Sequence, residues 1–169
     1  GDPFRTAVHG HPLETPFGVA AGPHSQMAQN IVTAWACGAR FVELKTVQTL
    51  DRLEIPRPCI DMRDEGYNVE WSQELTVEES LDQYLQALVL VHALHRRLGF
   101  PGERPGVVFN LSGGYDLAGL RRPNMQGFLE HARRPGELLA RAVAAVARHL
   151  EEAAEVELPE SLGDTVTLS

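Results

Sequence analysis

The stretch Arg40-Phe41-Val42-Glu43-Leu44-Lys45-Thr46 decides the fold class, because it is a short alternating segment of β-prone residues. Before it, Ser25 can cap a helix that runs through Ala36 and is stopped by Gly38, a residue favoured just past the end of a helix. A helix followed closely by a strand is typical of a parallel α/β sheet.

Three further apolar runs predict strands, over residues 17–21, 106–112 and 165–169. Helices are predicted over 76–98, where Thr76 and Glu79 match a capping box, and over 126–133 and 137–155. A complete (β/α)8 barrel needs about 250 residues. The four strands therefore predict an α/β chain whose residues 1–169 form the N-terminal half of a (β/α)8 TIM barrel.

The composition is that of a globular domain, with 43% hydrophobic and 22% charged residues in 169. The net charge is −8, and residues 151–164 contain six acids and no base, which predicts a solvated helix end and loop. No basic surface emerges, so nucleic acid is not expected as a partner. No long apolar run predicts a membrane span, and Cys37 and Cys59 form no CxxC pair for a metal site. We expect a cytoplasmic location.

Lys45 is the sharpest chemical candidate, because a lysine that ends an apolar strand is costly to bury without an anionic partner. It could stabilise negative charge on a cofactor or intermediate, or form a Schiff base. The alternative is a lysine whose ammonium group simply reaches solvent.

Two other strand ends carry candidates. Ala21 and Gly22 have small or no side chains, so that a flat ligand could approach the backbone, although a tight turn would also require glycine. Asn110 lies in a buried strand and could bond one edge of a planar ligand, or could bond the backbone in a structural role.

Two stretches together resemble a known family: Thr15-Pro16-Phe17-Gly18-Val19-Ala20-Ala21-Gly22-Pro23 and Cys37-Gly38-Ala39-Arg40-Phe41-Val42-Glu43-Leu44-Lys45-Thr46-Val47-Gln48-Thr49. They resemble the opening of the dihydroorotate dehydrogenase-like, FMN-binding barrels. Within this family, the chain is most similar to the large bacterial iron–sulfur flavoproteins of the selenate reductase type, over the runs 19–30, 38–50, 58–62, 64–75 and 109–119.

The resemblance implies a flavin-dependent oxidoreductase that transfers hydride or electrons through FMN. It implies that Ala20, Ala21 and Gly22 lie against the flavin, that Lys45 and Thr46 lie at its N1/C2 edge, and that Asn110 reaches its pyrimidine side or the substrate. Asn68 is the implied contact for a small-molecule substrate.

The resemblance also implies components outside this chain. In the family the catalytic base follows the fourth strand and the flavin phosphate is held by later strands, so this chain alone is expected to be inactive. The remaining half of the barrel and electron-transfer domains with 4Fe-4S clusters, FAD and NAD(P)H are the implied partners. Two alternatives remain open: a TIM-barrel lyase or aldolase with Lys45 as its Schiff-base lysine, and a non-catalytic scaffold barrel.

Overall fold

The computed structural model describes residues 3–47, 49, 60–61, 67–68, 75–113 and 116–168. The strands are β1 Thr6–Val8, β2 His11–Leu13, β3 Gly18–Val19, β4 Phe41–Glu43, β5 Ile60–Asp61, β6 Tyr67–Asn68, β7 Val108–Gly113 and β8 Thr165–Leu168. The α-helices are α1 Ala28–Ala36, α2 Val77–Arg97, α3 Leu117–Leu120, α4 Pro123–Arg133 and α5 Glu137–Ala147.

The central sheet has the strand order β3-β4-β7-β8, and every neighbouring pair is parallel. These are the four predicted strands in chain order, each separated from the next by at least one helix. Sequential parallel strands with helical crossovers are the arrangement of a (β/α)8 barrel, of which four units are present. The predicted fold class is therefore confirmed.

Helix α2 contributes the largest part of the core. Its first turn is fixed by the predicted capping box, in which the Glu79 N–H donates to the Thr76 hydroxyl and the Thr76 N–H donates to the Glu79 carboxylate. One side of the helix packs on the sheet and against α1, α4 and α5. The buried residues of α2 include Leu81, Tyr84, Leu85, Leu88 and Val91.

Two predicted helix boundaries are wrong. Ser25 was expected to cap α1, but it ends a 3-10 turn, Pro23–Ser25, and Met27 occupies the N-cap without a side-chain bond. The helix predicted over 137–155 divides into α5 and a separate 3-10 turn, Glu151–Ala154. Because the helix ends after α5, Leu150 and Ala153 pack in the core, where they are 9% and 1% exposed.

A short hairpin of β1 and β2, which the sequence patterns did not reveal, precedes the central sheet. Glu14 follows it and pairs with the Arg40 guanidinium, with an Nε–Oε2 distance of 2.8 Å. Arg40 also donates to the carbonyl oxygens of Trp35 and Ala39 and lies 5.4 Å from the centre of the Trp35 ring. This cluster ties the hairpin to the end of α1 and the start of β4.

Candidate functional site

The carboxyl ends of β3 and β4 bring several of the predicted site residues to one edge of the central sheet. Lys45 lies two residues beyond β4 and is 8% exposed. It is the only lysine in the sequence, because the other fourteen basic residues are arginines. Arginine stays charged in proteins, whereas lysine is a compact charge that can also lose its proton. A single buried lysine at this edge is therefore a specific chemical feature.

Several hydrogen bonds between described residues hold the segment around Lys45. The Lys45 N–H donates to the Ser25 carbonyl at 3.2 Å, and the Tyr84 hydroxyl donates to the Lys45 carbonyl at 2.7 Å. The Lys45 ammonium donates to the Thr46 carbonyl at 3.5 Å, and Thr46 itself is half-buried. Elements on both sides of β4 thus fix the position from which the lysine side chain extends.

The extension of β4 contains one residue more than the β7 segment beside it. Glu43 pairs with Asn110, whereas Val47 pairs with Gly113, so that four steps along one chain match three along the other. Leu44 and Val47 donate their N–H groups to residues only two apart on β7. This is a β-bulge, a feature that re-aims side chains and is frequent beside active sites. The extra residue is within the pair Lys45-Thr46.

The side chains of Glu43 and His24 form hydrogen bonds with the backbone at the end of β3. The Ala21 N–H donates to Glu43 Oε2 at 3.2 Å, and the His24 ring nitrogen Nε2 donates to the Ala20 carbonyl at 3.0 Å. A Cβ atom at Gly22 would lie only 2.7 Å from His24 Cε1. The His24 imidazole therefore occupies the space that a side chain at residue 22 would fill. Ala20 and Ala21 are exposed.

Asn110 is buried within β7, and its amide is bonded to the neighbouring strand. The Thr165 hydroxyl donates to Asn110 Oδ1 at 2.7 Å, and Asn110 Nδ2 donates to Thr167 Oγ1 at 3.1 Å. Glu43, Asn110 and Thr165 stand opposite one another in register, so their side chains share one face of the sheet. Val42 and Phe109 lie on the other face and join the core with the helices.

We call the face with Glu43, Asn110, Thr165 and Thr167 the inner face. In a closed barrel this face lines the interior, which in most TIM barrels is filled by branched apolar residues. Here it carries a carboxylate, an amide and two hydroxyl groups next to the apolar Phe41 and Val108, which lie two residues before Glu43 and Asn110. A polar interior of this kind can bond a polar ligand at the carboxyl end of the strands.

The remaining predictions fall partly outside the described residues. Asn68 ends β6, which pairs with β5, but its side chain is not among those described. Cys59 lies outside the described ranges. The predicted contact between Asn68 and a substrate stays a prediction.

Sequence reasoning missed two residues of this site. Glu43 has the spacing of a solvent-facing polar residue in an alternating strand, and only the register with Asn110 shows that it faces inward. His24 follows a Gly-Pro turn and carries no pattern of its own. The signal that was available is the position of Glu43, two residues before Lys45 on the same strand.

Other cavities lie away from the strand ends. One, of about 470 Å³, is lined by the outer side of α2 and by His131 and Arg141. Another, of about 170 Å³, lies at the amino-terminal end of the sheet beside His92 and Asp164. Among the described helices, none combines the length and apolar character needed to cross a membrane.

Comparison with known proteins identifies the relatives of this chain. A family model described as "Oxidoreductase YgfK, N-terminal TIM-barrel domain" matches residues 2–169. The protein named "Putative oxidoreductase YgfK" from Escherichia coli strain K12 is 49% identical over 125 residues, which are 74% of this chain and 12% of that protein. The protein of the same name from Escherichia coli O157:H7 matches equally. The chain thus matches only a small part of the length of these curated relatives.

Proposed function

Because the chain belongs to the family of the N-terminal TIM-barrel domain of oxidoreductase YgfK, we propose that it supplies half of a flavin-binding barrel. The whole protein would then be a flavin-dependent oxidoreductase that passes hydride or electrons through FMN. The observation that carries this proposal is Lys45, a single buried lysine at the carboxyl end of a central strand. The carboxyl ends of barrel strands are where TIM-barrel enzymes hold their ligands.

The residues at this edge fit a planar ring. Ala20 and Ala21 expose only methyl groups and backbone, so a flat surface can approach the end of β3 closely. The Cβ-free position at Gly22 is already used by the His24 ring. The free approach is therefore along Ala20 and Ala21, next to Lys45 on the neighbouring strand.

Each residue has a definite task in this proposal. FMN, when bound, supplies the capacity to accept and release hydride. The Lys45 ammonium would hold positive charge beside the ring edge where negative charge develops on reduction. Asn110 would orient a polar ring edge through its amide, which Thr165 and Thr167 hold in place. Ala20 and Ala21 would form the surface on which the ring lies.

The absorbance spectrum of the full-length protein and extraction of its flavin test this proposal. We expect FMN to be released on denaturation, and we expect Lys45→Met to lower flavin content or the rate of flavin reduction by at least tenfold. Lys45→Arg keeps the charge and should retain part of the function, and the exposed Arg133→Met is the matched control. Release of no flavin, or an unchanged content and rate in Lys45→Met, would contradict the proposal.

NAD(P)H, FAD and 4Fe-4S clusters belong to this proposal as components of other domains. Their support is the resemblance to iron–sulfur flavoproteins, together with the greater length of the curated relatives. Iron and acid-labile sulfide analysis of the full-length protein tests them, and a protein free of both would remove the clusters from the proposal.

A second candidate, a barrel lyase or aldolase, is favoured by the same buried lysine. A Schiff base at Lys45 would be reduced by borohydride in the presence of its carbonyl substrate. Because the chain has no other lysine, any trapped adduct on a lysine within residues 1–169 must be at Lys45. If active full-length protein gives no adduct, the lyase or aldolase hypothesis is excluded.

A further inference from the structure

Ser112 is a polar residue of β7 to which the proposed function gives no task. It lies two residues after Asn110, and alternate residues of a strand are about 6.6 Å apart on the same face. Its partner in the register with β8 is Thr167, which also belongs to the inner face. Ser112 therefore lies on the inner face, one level nearer than Asn110 to the carboxyl end of the sheet.

The strand segment beside Ser112 is the one that carries Lys45. The Leu44 N–H donates to the Asn110 carbonyl at 3.0 Å, and the Val47 N–H donates to the Ser112 carbonyl at 3.1 Å. Lys45 comes between these two bonds, so it lies alongside the part of β7 that runs from Asn110 to Ser112. Ser112 is thus a neighbour of both residues that the proposed function places at the polar edge of the flavin.

The side-chain hydroxyl of Ser112 has no hydrogen-bond partner among the residues that the structure describes. The residue is only 9% exposed, and a buried hydroxyl without a partner costs free energy. The oxygen is nevertheless not sealed off from the surface, as the unbonded hydroxyl of Thr49 is. An alanine would fill nearly the same space without this cost, so the hydroxyl requires a reason beyond packing.

We propose that Ser112 is a further flavin-binding residue, whose hydroxyl donates a hydrogen bond to a carbonyl oxygen on the polar edge of the FMN ring. The inference rests on the proposed function, which places that edge beside Lys45 and Asn110. A serine hydroxyl has one donor and rotates to suit its partner. A ring carbonyl in this place therefore satisfies the donor that the described residues leave unused.

The bond from Ser112 should strengthen when the flavin is reduced. Negative charge then develops at the ring edge beside Lys45, and a hydrogen bond to a charged acceptor is roughly twice as strong as one between neutral groups. Lys45 supplies charge at this edge, whereas Ser112 supplies a directional donor. Loss of the hydroxyl should therefore weaken the binding of reduced FMN more than that of oxidised FMN, and this difference lowers the reduction potential.

The first measurement compares FMN affinity and reduction potential in full-length wild-type protein and Ser112→Ala. We expect oxidised FMN to bind about fivefold more weakly to the variant, and reduced FMN about fiftyfold more weakly. The tenfold difference corresponds to a potential lower by about 30 mV for a two-electron couple. The matched control is Ser161→Ala, which removes a hydroxyl bonded to the Gly163 carbonyl ahead of β8 and should change neither quantity.

The second measurement observes the hydrogen bond itself. Infrared difference spectra of the full-length protein, loaded with FMN that is labelled with ¹³C at one ring carbonyl or the other, report the stretching frequency of each carbonyl. We expect Ser112→Ala to move one of the two bands to higher frequency, because the carbonyl loses a donor. Ser112→Cys, which keeps the size of the side chain but is only a weak donor, should move the same band. Ser161→Ala should move neither.

The results separate the two proposals. A full-length wild-type protein that holds no FMN overturns the proposed function itself. A Ser112→Ala protein that holds FMN with both carbonyl bands at their wild-type frequencies overturns the inference alone, whatever its affinity for FMN. If Ser112→Ala fails to hold FMN, Ser112→Cys decides by the same bands, and wild-type frequencies in that variant contradict a bond from the hydroxyl.

Discussion

The hydroxyl of Tyr84 donates a 2.7 Å hydrogen bond to the carbonyl of Lys45, and it thereby joins the longest helix to the strand end that carries the lysine. Tyr84 is fully buried, and burial raises the pKa of its hydroxyl, so that it stays a donor at any physiological pH. The bond therefore supports the position of Lys45 without a change of charge.

Tyr84→Phe removes this donor and leaves the Lys45 carbonyl without its partner. A buried acceptor that loses its hydrogen bond costs about 1–2 kcal/mol of stability. We expect faster hydrogen exchange in peptides that cover residues 41–47 of the full-length protein, together with weaker flavin retention. Gln86→Ala, which removes an exposed side-chain bond to Asp82 on the same helix, is the control and should change neither. Equal exchange in the two variants would contradict a supporting role for Tyr84.

Thr49→Val should stabilise the protein. The Thr49 hydroxyl is buried, with 6% exposure, and no described residue forms a hydrogen bond with it. Replacement by a methyl group of similar size removes the cost of the unbonded hydroxyl, about 1 kcal/mol. Thermal unfolding should show a higher midpoint, whereas Thr33→Val, which removes a bonded hydroxyl on α1, should not. A lower midpoint for Thr49→Val would show that the hydroxyl has a partner in solution.

His92 should make the protein less stable in acid. Burial, and then the nearby His95 and Arg104, lower the pKa of His92 to about 4, although its bond to the Glu157 carbonyl acts the other way. The unfolded chain, with an ordinary pKa near 6.5, takes up a proton where the folded chain does not. The free energy of unfolding therefore falls as the pH decreases from 6.5 to 4, by at most about 3 kcal/mol.

The pH dependence of denaturant unfolding measures this effect. His92→Gln should flatten the curve between pH 4 and 6.5, whereas His131→Gln, at an exposed position, should leave it unchanged. The same slope in wild type and His92→Gln would mean that another group takes up the proton.

Arg40→Lys should destabilise the protein near the start of β4, although the substitution keeps the positive charge. The guanidinium bonds Glu14 and the carbonyl oxygens of Trp35 and Ala39 at once, and it also lies over the Trp35 ring. An ammonium group cannot keep this planar set of bonds. We expect a loss of about 2 kcal/mol in the free energy of unfolding. Arg133→Lys, at a surface pair of 3.9 Å, should cost less than 0.5 kcal/mol.

Gly22→Ala should displace the His24 ring, because the added Cβ would lie 2.7 Å from His24 Cε1. We expect FMN affinity to fall severalfold in Gly22→Ala and to recover when His24→Ala is added, since the double variant removes the clash. His24→Ala alone is the control for the loss of its bond to the Ala20 carbonyl. A double variant no better than Gly22→Ala would mean that the backbone at Gly22 itself is needed.

Local patterns were sufficient to predict the central sheet. Alternation and glycine boundaries identified four strands in the correct order, and the capping box at Thr76 located the start of α2. The hairpin β1–β2 escaped detection because strands of three residues are too short to show a period. The break after α5 was also invisible, because it is produced by the packing of Leu150 and Ala153 and not by a breaker residue.

Local patterns also predicted part of the candidate site. Lys45 stood out because a charge at the end of an apolar strand conflicts with local propensity. Glu43 did not, since a polar residue in an alternating strand is ordinary when one face meets water. Which face is internal depends on the register between β4 and β7, and that register is a property of distant segments.

The bulge at Lys45 and Thr46 also shifts the phase of the strand. Before it, the even-numbered Val42 and Leu44 pack with the helices, whereas after it the odd-numbered Val47 does. A regular strand of the same residues, without the bulge, would turn Val47 to the inner face and Thr46 into the apolar core. Deletion of one residue at the bulge would instead keep Val47 opposite Gly113 in a regular strand, but it would remove Lys45 or Thr46 from the place that the bulge gives it. The number of residues in this segment, and not only their side chains, therefore determines where Lys45 lies.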